Sequence, residues 1–303
     1  MSTAKERFEK LDSKRDQVLQ RARDAADITI PALMPPEGTD ENASLPQPYQ
    51  SLGARGVNNL TSKLRLSLFP PGRSFFRFQM DRETKTMLSA DAPEALTEIE
   101  SGLQQVENDA LELLEAENHS VILHAAIKQL VCCGNVLLHI PDDGGSRIFR
   151  LPQYVIVRDP MGNWHEIVAL ETVSKNTLEE AIINEVDAGS VGNTDEDDDE
   201  IDVYTWITRK NGKAEWHQEI NDNKVTGTEG RSDVEDCPYI PLRWAALENE
   251  NYGRGHVEEY LGDLRSLEDL SKSLVQFAAA AATVVFPDRP SSPTDIELVA
   301  SGE

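Results

Sequence analysis

The sequence predicts an α+β fold: mainly helical, with a small antiparallel β region in its middle and one long helix towards its end. Three observations predict it. Apolar residues recur at steps of three and four up to about Val131. From Gly134 onward, short β-branched and aromatic runs separated by turn residues take over. From His256 to Phe286 a helical pattern returns, about 46 Å long at 1.5 Å per residue.

Thr3 and Glu6 have the spacing of a capping box, and Phe8, Leu11, Val18, Leu19, Ala22, Ala25 and Ala26 recur on one face, predicting a single amphipathic N-terminal helix. Pro31, Pro35 and Pro36 end it, and a polar loop runs to about Gln47. After Gly53, residues Val57, Leu60, Leu64 and Leu68 share a face, with Lys63 and Arg65 pointing away, and Pro70-Pro71-Gly72 stops this second helix. A third is expected over Ala92 to Ala116. A fourth, His119 to Val131, is almost continuously apolar and should be buried. The β runs are NVLLHI, RIFRL, YVIVRD and WHEIVAL, the last two joined by a turn at Pro160 to Asn163. A short helix near Thr177 to Glu185 and a solvated acidic loop over 187–200 follow, then the hairpin IDVYTWITRK and AEWHQEI turned by Asn211-Gly212.

The chain has 303 residues and carries 54 acidic against 29 basic side chains, a formal charge of -25. Such a surface repels nucleic acid at long range and has no general affinity for anionic membranes. Against that background, Asn42 to Met80 contains no Asp or Glu, while Arg55, Lys63, Arg65, Arg73 and Arg77 make it basic. Apolar residues at 39% sit at the low end for a compact globule, so part of the surface is expected to be buried on partner chains. Cys132, Cys133 and Cys237 form neither a disulfide framework nor a zinc spacing, which suits a reducing compartment. The start MSTAKERFEKLDSKRDQ has no apolar signal region, and the apolar run Leu274 to Phe286 is shorter than the ~20 residues a membrane span needs. The chain therefore reads as soluble and intracellular, with no membrane partner.

No motif carries catalysis. Asp195, Asp197 and Asp199 open like a calcium loop, but Glu200 stands where the turn glycine belongs. His165-Glu166 is followed by Ala169 where a zinc protease needs its second histidine. No nucleophile elbow or phosphate-binding loop occurs. Gly53 and Gly56 could hold an anion at a helix start, but a tight turn and close helix packing explain them better. The alanines from Ala278 to Ala282, following turns rich in Glu258, Glu259, Asp263, Glu268 and Asp269, suit a subunit wall better than a monomer core. No cofactor and no metal are expected.

The ordered series ARDAADITIPALMPP, PYQSLGARGVNNLTSKLRLSLFPP, HAAIKQLVCCGNVLLHIP, CPYIPLRW and YGRGHVEEYLGDLRSLEDL resembles the portal, or head-to-tail connector, proteins of short-tailed phages. The resemblance implies a dodecameric ring at one capsid vertex, assembled in the host cytoplasm and carried in the virion. It also implies a DNA channel and a structural, non-enzymatic role in genome packaging and short-tail ejection. The partners implied are further copies of the chain, the packaging ATPase (terminase), capsid and scaffold proteins, a tail adaptor, and the double-stranded DNA in transit. By position, residues 1–255 correspond to the wing (helices 1–133, β region 134–255), 256–286 to a stem helix and 287–303 to the start of the clip. Ending at Glu303, in mid-pattern, the chain reads as a truncated or partial product. It is then expected to be mostly monomeric or loosely oligomeric.

Within that frame, Arg55, Lys63, Arg65, Arg73 and Arg77 are candidate interface cations meeting the acidic face of the next subunit, and Ala278, Ala280 and Ala282 candidate close-packing positions. Glu258, Asp263, Glu268 and Asp269, with Arg265 and Lys272, are candidate channel-facing charges. An acidic wall would not adhere to the DNA backbone. Two other classes remain open at this level: a metal-dependent nuclease or hydrolase built on Asp195 to Glu200, and a helical adaptor that forms no ring.

Overall fold

A computed structural model describes residues 3–174 and 200–282, apart from 37, 40, 41 and 143. It is an α+β fold with antiparallel sheets. The N-terminal pattern makes two helices rather than one: α1 (Ala4–Asp12) and α2 (Asp16–Asp27). The capping box forms, Thr3 Oγ1 accepting from the Glu6 N–H and the Glu6 carboxylate accepting from the Thr3 N–H, both at 3.3 Å. The break falls at Arg15, which is only 2% exposed. Its guanidinium turns inward to donate to the carbonyls of Leu151 and Tyr154, each at 2.7 Å, and of Pro152 at 3.2 Å. No helix breaker marks this site; a distant cluster of carbonyls does.

α3 (Leu52–Leu68) forms as the periodicity predicts, and α4 (Arg82–Asp91) was not predicted. Asp81 caps α4, accepting from the Glu83 and Thr84 N–H groups at 2.9 and 3.1 Å, and these bonds hold its carboxyl below the ordinary range. α5 (Pro93–Ala116) opens with proline at its first turn, and α6 (His119–Cys133) follows Asn118 in the left-handed region at φ 58°. α6 is buried mainly over its second half, while Val121 is exposed. It ends at Gly134, at φ 76°, where a Cβ would lie 2.4 Å from the Arg254 carbonyl carbon.

The β region makes two sheets. In the first, β1 (Asn135–His139) lies between β2 (Arg147–Phe149) and β9 (Tyr239–Arg243), with Val136 opposite Leu242. The second runs β3 (Tyr154–Arg158), β4 (Trp164–Ser174), β5 (Glu200–Lys210), β6 (Lys213–Ile220), β7 (Asn223–Lys224), with β8 (Gly230–Asp233) also on β6. Asn211 and Gly212 take positive φ, 52° and 76°, as the hairpin turn requires. The short strands β7 and β8 escape sequence reading because they lack apolar alternation. The helix expected near 177–185 and the acidic loop, except for Glu200 in β5, lie outside the described residues.

The single helix expected from His256 is instead α7 (His256–Glu259) and α8 (Leu261–Ala282), separated at Tyr260. Tyr260 has φ -107°, and its ring stands edge-on to His256 at 5.1 Å. Residues 283–303, including the expected helix end and clip approach, are outside the description. The main core joins α2, α3 and α6 to both sheets through Leu137, Phe149, Leu151, Tyr154, Ile167 and Ile207. Phe8 of α1 packs edge-on against Tyr204 in a second cluster. Cys132, Cys133 and Cys237 are buried and unbridged.

Candidate functional site

The carboxylate-free segment and the final helix come together on one side of the molecule. α3 starts against the end of α2, and Gly53 permits it: a Cβ there would sit 2.7 Å from the Ile28 carbonyl oxygen and 3.0 Å from Thr29 Cγ2. Gln50 locks the junction, its amide donating to the Ile28 carbonyl at 2.7 Å and accepting from the Gly53 N–H at 2.9 Å. Glu268 of α8 accepts from the N–H groups of Tyr49 and Gln50 at 2.8 and 3.1 Å. Gly56 meets nothing within 4 Å. It lines an open groove of about 520 Å³ between α3 and α7–α8, with Val57, Leu60, Lys63, Val131 and Leu264 among its walls. Gly53 therefore serves close packing, as the sequence reading favoured for both glycines, whereas Gly56 does not.

The five candidate cations fall into two groups. Arg55, Lys63, Arg73 and Arg77 are exposed and form no ion pair among the described residues. Arg65 is half-buried and donates to Ser120 Oγ, so it packs on α6 rather than pointing away from the packed face. Its neighbourhood includes His124, whose pKa is lowered first by burial and then by the charges of Lys128 and Arg65. Leu68, expected on the buried stripe of α3, is 54% exposed. Beyond it the chain closes on itself through aromatic rings set edge to face: Phe69–Phe75 at 4.9 Å, Phe75–Phe76 at 5.2 Å and Phe76–Phe78 at 5.5 Å.

The candidate channel-facing charges also divide. Glu258 pairs with Arg254 at 2.9 Å and Arg21 at 3.5 Å, Arg265 with Asp24 at 2.6 Å, and Glu268 holds the entry to α3. These three fasten α7 and the first half of α8 to the body. Asp263, Asp269 and Lys272 are exposed and form no ion pair among the described residues. After Glu268, α8 leaves Leu270, Leu274, Val275 and Phe277 exposed, Phe277 to 74%. Ala278 and Ala280 are exposed as well, and Ala282 is the last residue of the helix. Among the described residues no group of His, Cys, Asp and Glu is placed to hold a metal ion, and no helix is long and apolar enough to cross a membrane.

Sequence reasoning missed the residues that hold this surface in place. Arg15, Gln50 and Glu268 are polar side chains whose partners are set by the fold. The Asn118–His119 corner is of the same kind: His119 bonds Ser146 Oγ and the Glu117 carboxylate, each at 2.8 Å, and that carboxylate also accepts from the Gly145 N–H at 3.2 Å. The one signal the sequence offers there is Asn118 itself, a residue type that tolerates the left-handed region it adopts.

Across its length the chain is similar to known proteins. It is 37% identical over 289 residues to the portal protein of Escherichia phage T7, covering 93% of this chain and 53% of that one. It is 34% identical over 288 residues to the portal protein of Enterobacteria phage T3, with the same two shares, 93% and 53%. The portal protein of Enterobacteria phage SP6 is 31% identical over 292 residues, covering 96% of this chain and 56% of that one. The chain thus spans about half the length of the relatives it matches. Residues 1–303 match the family described as bacteriophage head to tail connecting protein, and with the ordered similarity to these portal proteins this places the chain in that family.

Proposed function

We propose that the chain is a portal subunit: it associates with copies of itself into a ring at the head–tail junction, through whose channel DNA is packaged and later ejected. The observation that carries this reading is the similarity to the T7 portal protein over 93% of the chain. The role is geometric rather than chemical. Residues up to 255 form the wing, α7 and α8 enter the stem, and the residues after 286 lead to the clip. A dodecamer is the closure we expect, docking the packaging ATPase on one side and the tail adaptor on the other. Capsid and scaffold proteins surround it at the vertex, and it is assembled in the host cytoplasm.

Two features support a multi-subunit assembly. The distal half of α8 presents a seam at Leu270, Leu274 and Phe277 that is exposed among the described residues. Among the described residues Arg55, Lys63, Arg73 and Arg77 are cations without carboxylate partners, in a chain of net charge -25. Asp263, Asp269 and Lys272 remain the candidates for the channel wall, where a net negative surface lets the duplex slide. The test is the particle itself. Electron micrographs and native mass of the full-length product should show closed rings with a central opening, whereas a full-length product that stays monomeric at every concentration would sink the reading.

A further inference from the structure

Resting on the self-association just proposed, one exposed helix face has a complement elsewhere in the same chain. α5 is 24 residues long, and none of its described side chains is fully buried. Leu96, Ile99, Leu103, Val106, Ala110 and Leu113 step by alternating threes and fours, the spacing of a helix that packs along a seam. Leu96, Leu103 and Ala110 are half-buried, but Ile99, Val106 and Leu113 are 40, 53 and 59% exposed. At 3.6 residues per turn, Glu98 and Asp109 fall beside this stripe on the solvent side, and both are exposed. α5 carries carboxylates but no Lys or Arg.

The opposite combination stands at the end of α3. Leu66 and Leu68 are 55 and 54% exposed, and Phe75 and Phe78 are 44 and 45% exposed. Arg73 and Arg77 flank them, in a stretch without one carboxylate. One surface is apolar and acidic, the other apolar and basic. The two are complementary in charge as well as in apolar character.

We infer that the acidic stripe of α5 on one copy docks against the aromatic, arginine-flanked segment 66–78 of a second copy. The charge pattern selects this occupant. Pairing α5 with another α5 would set Glu98 and Asp109 against their own kind, and pairing two basic segments would repeat the fault. Because the two surfaces differ, the contact is head-to-tail, and repeating it generates a ring or an open helix rather than a closed dimer. The carboxylate-free composition then has a cause: an acid anywhere on segment 66–78 would meet the acids of α5.

Mixed cysteine variants test it in the full chain, whose native thiols are buried. Val106→Cys and Phe75→Cys, each prepared alone, should give no cross-linked dimer with a short bismaleimide, and the mixture should. Ile99→Cys and Leu113→Cys serve as neighbouring reporters in case the register lies a turn away. Cross-linking of Val106→Cys with itself would overturn the pairing in favour of α5 on α5. Oligomers that form without any α5-to-segment cross-link would overturn the docking while leaving self-association intact. A chain that stays monomeric and uncross-linked overturns both. As a second measurement, Glu98→Lys with Asp109→Lys should weaken self-association about tenfold or more, and adding Arg73→Glu with Arg77→Glu should restore it. No recovery in the fourfold variant would also count against the pairing.

Discussion

Gly53 and Gly56 lie three residues apart on α3 and face opposite demands. Gly53→Ala places a methyl 2.7 Å from a backbone carbonyl, and the cost should be about 1–3 kcal/mol in a thermal or urea melt. Gly56→Ala meets open space and should stabilise by up to about 1 kcal/mol through helix propensity alone. Arg15 is a sharper case. Arg15→Met leaves three carbonyls and Asp12, now 2.6 Å from the guanidinium, without their cation, and should cost roughly 3–5 kcal/mol. His124 supplies a pH signature. Its folded pKa lies below the ordinary 6.5 because burial and two nearby cations oppose the charged ring, so the unfolded chain binds the proton more readily. Stability is therefore complete above about pH 6.5 and declines as pH falls through that value towards the folded pKa. His124→Gln should flatten the part of the melt-versus-pH curve that lies just below 6.5. None of these roles except the glycine packing could be read from the chain, because each depends on a neighbour contributed by another element.

At the scale of elements, several pieces announced by periodicity are present among the described residues: most of the face of α3, the long α5, the buried end of α6, the hairpin turned by Asn211-Gly212. What escaped were the interruptions and the short pieces. α1 and α2 are separate because Arg15 is drawn to carbonyls some hundred and forty residues away, and α8 is cut from α7 where Tyr260 packs on His256. Local sequence holds no trace of the first pull, whereas the second lies within about one helical turn. For the surface, charge bias was legible as composition, but the split among its members was not: Arg65 is held by Ser120, and Glu258, Arg265 and Glu268 serve the chain's own packing. The alanines near the end of α8 lead to a prediction with two readouts. Ala280→Leu sits on an exposed helix surface, so the stability of the isolated chain in a thermal melt should change by no more than ~0.5 kcal/mol. If that stretch packs against its copies, each interface in the assembly loses about 1–3 kcal/mol, and sedimentation should show folded chains with few oligomers. An unchanged oligomer would mean that residue 280 faces solvent or the channel.

For the whole molecule, a net charge of -25 and the opposite-sign attractions proposed above would make self-association depend on salt in two directions. At 0.01 M ionic strength the screening length is about 30 Å, so whole chains repel one another. Near 0.15 M it is about 8 Å, which silences that repulsion but spares pairs in contact. At 1 M it is about 3 Å, and the pairs weaken too. Association measured by sedimentation velocity should rise and then fall across this range; a steady rise would mean that apolar burial acts without the cations. The burial of Arg15 also has a meaning in time. A ribosome releases α1 and α2 first, yet the carbonyls that receive this guanidinium belong to residues 151–154, and Tyr252, whose ring lies 5.6 Å from it, comes later still. Until those residues emerge the charge has nowhere dry to go. The N-terminal helices must wait in water until residues 151–154 and Tyr252 have been made, so the surface they brace, where α3 meets α8, cannot be offered to a neighbouring chain before then.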